Sequence, residues 1–243
     1  METKPTLVLI HGHGVDSSVW DDVVAQLAGE YSIIKPDFSR LSEHETIEAY
    51  AERLYSLLQG AQVNSCVVIG HSMGGYIALA FAEQHPEMIL GLGLFHSTAF
   101  ADDESKKEKR QSDVKALEEQ GSKVFIEKVM PNMLGDSYKK SKQEATDVLI
   151  EKFSNLPAEA LAAGVKAIAG RPDRTGVLKN ASFPVLIIAG REDSVIPFEK
   201  SEALFDLPQN ARPVVLETSG HLGMIEAPEE AVKIIRKFMS ELG

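Results

Sequence analysis

Residues 70–75 read Gly-His-Ser-Met-Gly-Gly, which places a serine, Ser72, between glycines two positions away on either side. A serine hydroxyl is a weak nucleophile until a base takes its proton and a third group orients that base. The chain offers both partners. His221 stands in Ser219-Gly220-His221-Leu222-Gly223, and Asp193 stands in Gly190-Arg191-Glu192-Asp193, where Glu192 competes for the acid's place. Serine, histidine and carboxylate together perform acyl transfer. The serine oxygen adds to a carbonyl, the histidine passes the proton to the leaving group, and water releases the acyl group.

Such chemistry needs elements that bring distant residues to one place. The apolar run 66–69 reads as a strand, and a helical pattern runs over 75–84, so Ser72 lies on a sharp strand-to-helix turn. Side chains at Gly70 and Gly74 would collide with neighbouring elements there, and the turn sets the hydroxyl at a helix N-terminus that favours negative charge. Asp193 follows a strand at 185–189, and His221 follows one at 213–216. Further strands are expected at 7–10, 32–35 and 90–95, alternating with helices at 20–28, 46–59, 199–205 and 228–241. The spacing predicts an α/β fold: a mostly parallel sheet of about six strands, covered by helices on both faces. Acidic residues just past the carboxyl ends of such strands lie on the face where ligands bind.

The segment 98–180 breaks this alternation. It is helical throughout, with breaks at Gly121, at Gly135-Asp136 and before Pro157, and four short helices are the simplest division. The domains expected are a core of 1–97 with 181–243 and an inserted helical cap at 98–180. The run Asp102-Asp103-Glu104-Ser105-Lys106-Lys107-Glu108-Lys109-Arg110 mixes signs at helical spacing and reads as a solvated helix face. Phe125, Val129, Met130, Met133, Leu149, Phe153, Leu161 and Ile168 either line an apolar pocket or hold the cap to the core.

With 243 residues and a formal charge of −11, the chain lacks the basic footprint that nucleic acid requires. Its single cysteine, Cys66, lies inside an apolar run and reads as a buried, inert thiol, so no disulfide is expected. The apolar stretch 6–10 is too short for a leader core or a membrane span, and a cytoplasmic location follows as the expectation. The seven histidines are scattered without ligand spacing, so neither metal nor organic cofactor is expected.

The combination of His11-Gly12-His13-Gly14, the Ser72 elbow, Gly190…Asp193…Pro197 and Gly220-His221 followed by Glu226-Ala227-Pro228-Glu229 resembles the α/β-hydrolase superfamily over nearly the whole chain. The resemblance is to its small carboxylesterase, lactonase and C–C hydrolase members with a helical cap. It implies Ser72, Asp193 and His221 as the triad, in the chain order of that fold. It also implies an oxyanion hole made by the backbone N–H groups of His13 and Met73. The substrate implied is a small-molecule ester. A C–C bond or thioester hydrolase on the same triad, and a slow-turnover ligand receptor of the same fold, stay open. Leu222, where hydroxynitrile lyases carry lysine, and a serine where dehalogenases and epoxide hydrolases carry aspartate, weigh against those activities. Asp37-Phe38-Ser39-Arg40 departs from the glycine-rich loop of relatives. The antiparallel hairpin that usually opens the fold is expected to be missing, leaving six strands where relatives have eight.

Overall fold

The computed structural model describes residues 5–242. The first strand, β1 (Thr6–Ile10), leads through a 3₁₀ turn (Ser17–Trp20) into α1 (Asp21–Leu27). Next come β2 (Ser32–Ile34), α2 (Ile47–Gly60), β3 (Cys66–His71), α3 (Met73–Gln84) and β4 (Ile89–Phe95). The long segment after β4 holds α4 (Glu104–Val129), α5 (Asp136–Ser141), α6 (Ala145–Phe153), α7 (Ala158–Gly170) and α8 (Thr175–Lys179). The chain closes with β5 (Val185–Gly190), α9 (Phe198–Glu202), β6 (Ala211–Leu216), α10 (Gly223–Glu226) and α11 (Pro228–Ser240).

Among the described residues the strands form one six-stranded sheet, ordered β2-β1-β3-β4-β5-β6, with every pairing parallel. Alternation along the strands explains its two covered faces. Leu7, Leu9, Val67 and Ile69 point into one core with Trp20, Val23, Ile235 and Phe238, beneath α1 and α11. Val8, Ile10, Cys66 and Val68 point into the other, with Tyr50, Leu54, Ile77 and Phe81 from α2 and α3. A strand buried on both faces has to be apolar at successive positions, as residues 66–69 of β3 are.

Two helix starts are fixed by side chains. The Ala49 N–H donates to Thr46 Oγ1 at 3.2 Å at the start of α2, and the Lys106 N–H donates to Asp103 Oδ1 at 2.9 Å at the start of α4. Within Glu104–Val129, Gly121 at φ 79° and ψ 176° is non-helical, so α4 is two helices meeting at a kink, where the sequence places a break. Leu117, Phe125, Ile126, Met130 and Phe153, from the segment after β4, join the same apolar cluster as Trp20 and Phe95. These helices are thus packed into the core of the sheet. No helix among the described residues is long and apolar enough to cross a membrane.

Candidate active site

The turn between β3 and α3 puts Ser72 in a backbone conformation rare for a residue with a side chain, φ 51° and ψ −117°. Such strain costs about 1–3 kcal/mol and persists only where neighbours hold it. Here the Ser72 N–H donates to the Phe95 carbonyl at 3.0 Å. The Ser72 carbonyl accepts from the Gly75 N–H at 2.9 Å and from Ser97 Oγ at 2.7 Å. The flanking glycines are there for space. A methyl group on Gly74 would fall 2.5 Å from the Ile10 carbonyl oxygen, and one on Gly70 would meet the backbone of Gly74 and Gly75. The His11–Gly14 loop after β1 approaches just as closely, since a methyl on Gly12 would lie 2.6 Å from His71 Nδ1 and 3.0 Å from Ser72 Cβ.

Asp193 and His221 come together from the loops after β5 and β6. His221 Nδ1 lies 2.8 Å from Asp193 Oδ2, with both side chains 1% exposed. The other carboxylate oxygen, Oδ1, accepts the Val195 and Ile196 N–H groups at 2.8 and 2.9 Å. Burial works to raise the Asp193 pKa, but the facing His221 and the hydrogen bonds outweigh it and hold the carboxyl below its ordinary value. Glu192 points elsewhere. Its Oε2 accepts the Ser137 N–H at 2.7 Å and its Oε1 accepts the Ser137 hydroxyl, tying α5 to the β5 loop.

The His221 loop is clamped by a residue whose role its sequence position does not reveal. Glu226 accepts the Gly220 and Gly135 N–H groups on Oε2 and the Leu222 N–H on Oε1, each at 2.9 Å. The His221 N–H donates to the Met133 carbonyl at 2.8 Å, and the His221 carbonyl accepts from His71 Nε2 at 2.8 Å. The segment after β4 therefore fixes the histidine directly. Ser97, Met133 and Glu226 are the positioning residues that sequence reasoning missed. Only Glu226 carried a signal, as part of the Glu226-Ala227-Pro228-Glu229 stretch that follows His221 and resembles the family.

Ser72 and His221 line one cavity of about 460 Å³. His13 opens onto it as well, its Nε2 lying 2.8 Å from the Leu161 carbonyl of α7. Gly164 lets α7 pass this close, because a methyl there would sit 2.6 Å from the His13 ring. Met73 is the first residue of α3, where helix N–H groups have no acceptor within the helix. Of the apolar residues singled out in the segment 98–180, Phe125, Val129, Met133 and Ile168 line the cavity, and Met130, Leu149, Phe153 and Leu161 belong to the core, which Phe125 and Met133 also join. At the departing loop, the Phe38 N–H donates to His11 Nε2 at 2.9 Å.

Among the described residues, His96, Asp193 and His221 each bring one potential ligand atom within 4.8 Å of the others. Sequence spacing hides this cluster. Within it, His221 and Asp193 are already hydrogen-bonded to each other.

Burial pushes His13 and His96 down to about 4, and His71 well below the ordinary histidine value. Each is neutral in the folded protein at pH values where the unfolded chain, titrating near 6.5, already binds a proton. Stability is then complete above about pH 6.5 and falls as pH drops toward 4, by up to about 1.4 kcal/mol per pH unit for each histidine. The depressed Asp193 adds to this loss only at lower pH, below the ordinary aspartate range. Denaturant midpoints should decline steeply between pH 6.5 and 4, and a flat profile over that window would contradict the neutral assignment.

Comparison with known proteins fits this geometry. A model of the alpha/beta hydrolase family matches residues 7–234. A solved thermophilic esterase from Thermogutta terrifontis, in its malate-bound form, superposes with a TM-score of 0.94 at 29% identity, over 99% of this chain and 91% of that one. The Karrikin insensitive 2 receptor CA of Petunia hybrida is 25% identical over 96% of this chain and 90% of its own length. The 3-oxoadipate enol-lactonase 1 of Acinetobacter baylyi is 24% identical over 99% and 91%. The family model spans most of the chain and the all-parallel six-stranded sheet agrees with it, so the chain belongs to the alpha/beta hydrolase family.

Proposed function

We propose that the protein is a serine hydrolase that cleaves a small-molecule carboxylic ester, with Ser72 as nucleophile, His221 as base and Asp193 as the orienting acid. One observation carries the reading. A buried Asp193–His221 pair, joined at 2.8 Å, shares a cavity with a serine held in a strained turn.

In this mechanism His221 Nε2 takes the Ser72 proton as Oγ adds to the ester carbonyl. Asp193 keeps the proton of the imidazole on Nδ1 and stabilises the imidazolium. The backbone N–H groups of His13 and Met73 take up the oxyanion charge, each contributing about 3–4 kcal/mol in sites of this kind. His221 then protonates the leaving alcohol, and water resolves the acyl-enzyme by the reverse steps. The residues 98–180 act as a cap that closes the cavity and excludes water, over a core of 1–97 and 181–243. Their hold on the His221 amide through Met133 means the cap also sets the geometry of the base.

The test is a panel of p-nitrophenyl esters of increasing acyl length, run beside labelling by a fluorophosphonate. A multiple-turnover rate on short esters, with labelling that tracks activity, is the expected result. The similarity to a karrikin receptor makes a second reading specific: a ligand receptor would label yet show only slow or single turnover. Absence of both labelling and turnover would reject the serine-hydrolase assignment.

A further inference from the structure

The charged run 102–110 lies partly inside the site. Asp102, Asp103, Lys106, Lys109 and Arg110 line the same cavity as Ser72 and His221, so the solvated helix face expected from the sequence is on this side a cavity wall. The lining holds six cations, these three with Lys128, Arg171 and Lys200, against the three carboxylates Asp102, Asp103 and Asp113. A positive excess there contrasts with a chain whose net charge is −11.

The arrangement of these charges is more telling than their number. Asp102 is buried, and two guanidinium groups share its one carboxylate. Arg171 Nη2 reaches Oδ1 at 2.8 Å, and Arg110 Nε reaches Oδ2 at 3.3 Å. Arg171 is fully committed. Its Nε donates to the Phe100 carbonyl at 3.2 Å and its Nη1 to the Ile168 carbonyl at 2.8 Å, and its guanidinium lies 4.2 Å from the centre of the Tyr76 ring. Arg110 uses only Nε. Its two Nη groups have no acceptor among the described residues, and its side chain stays 29% exposed at the cavity. Asp113 is matched by Lys128 at 2.9 Å, and Asp103 caps α4. Lys106, Lys109 and Lys200 have no carboxylate within salt-bridge distance among the described residues.

We infer that the site is built for an ester whose non-reacting arm ends in a carboxylate, and that Arg110, braced by Asp102 and Arg171, receives that carboxylate through its free Nη groups. This rests on the serine-hydrolase reading above. A guanidinium with one edge anchored presents its remaining donors as a fork that suits a carboxylate. At the Asp102 cluster one negative charge is missing, because Asp102 neutralises one of its two arginines and a single carboxylate neutralises the other. Lys106, Lys109 and Lys200 on the cavity wall draw anions in, over a range that salt shortens to about 10 Å at 0.1 M. A purely structural Arg110 would have little to do, since Arg171 already satisfies the buried Asp102 and a half-exposed second partner adds little.

The test compares p-nitrophenyl hexanoate with mono-p-nitrophenyl adipate, which replaces the terminal methyl by a carboxylate, together with the neighbouring homologues of each. The charged ester should show a kcat/KM about tenfold or more above the neutral one at low salt, with the ratio falling as salt is raised. Arg110→Gln should reduce that ratio by about tenfold, chiefly through KM, and Arg110→Lys should restore part of it. A wild-type ratio at or below one, or a ratio unchanged in R110Q, would overturn the proposal while leaving the hydrolase reading intact. If R110Q does not fold, the wild-type ratio and its salt dependence decide the matter. Failure of every ester, with no fluorophosphonate labelling, would instead remove the hydrolase reading and this proposal with it.

Discussion

Replacing Ser72 by alanine should lower ester turnover by about 10⁶-fold, the scale seen when the nucleophile is removed from a serine triad. In the proposed mechanism the Ser72 oxygen forms the acyl bond, and alanine has no atom to take its place. The fold should survive. The contacts that hold the turn are made by the Ser72 backbone, through Phe95, Gly75 and Ser97, and alanine keeps all of them. Alanine at φ 51° bears the same backbone strain as serine, and the lost oxygen faces a cavity, so stability should change by no more than about 0.5 kcal/mol. Fluorophosphonate labelling should disappear with activity while the denaturation midpoint stays put. An S72A protein that kept turnover within tenfold of wild type would mean another residue is the nucleophile.

How much of this was legible in the sequence depends on how local each requirement is. The Ser72 turn could be read because its demands are met within six consecutive residues, and glycine is the one residue type that satisfies them. The sheet could be read because strands buried on two faces leave unbroken apolar runs such as 66–69 and 185–189. What could not be read lies across long separations. Met133 holds the amide of His221 through its carbonyl, which any residue type could supply, so its identity carries no signal. Ser97 braces the elbow because β4 pairs with β3, a fact of register rather than of local pattern. Arg110 belongs to a run whose alternating charges match a solvated helix. Only the packing of α4 beside α7 turns one side of that run toward a cavity.

The same separation of local and distant requirements bears on the choice between Asp193 and Glu192, adjacent carboxylates of which only the family resemblance singled out Asp193. Asp193→Asn should cost about 10⁴-fold in kcat, the scale expected when an imidazole is held in the wrong tautomer. The geometry says why asparagine cannot substitute. The Val195 and Ile196 N–H groups both donate to Oδ1, so an asparagine must keep its carbonyl oxygen there. Its NH₂ group then replaces Oδ2, 2.8 Å from His221 Nδ1, and can only donate. The imidazole has to turn Nδ1 into an acceptor and carry its proton on Nε2, the atom that should take the proton from Ser72. The base is disabled although every heavy atom stays in place. Glu192→Gln should do far less, because Glu192 binds the Ser137 N–H and hydroxyl at the start of α5 and does not touch His221. Parallel kinetics on the two variants, with fold checked by denaturation, separate the assignments. A D193N enzyme within tenfold of wild type, or an E192Q enzyme more impaired than D193N, would move the orienting role away from Asp193.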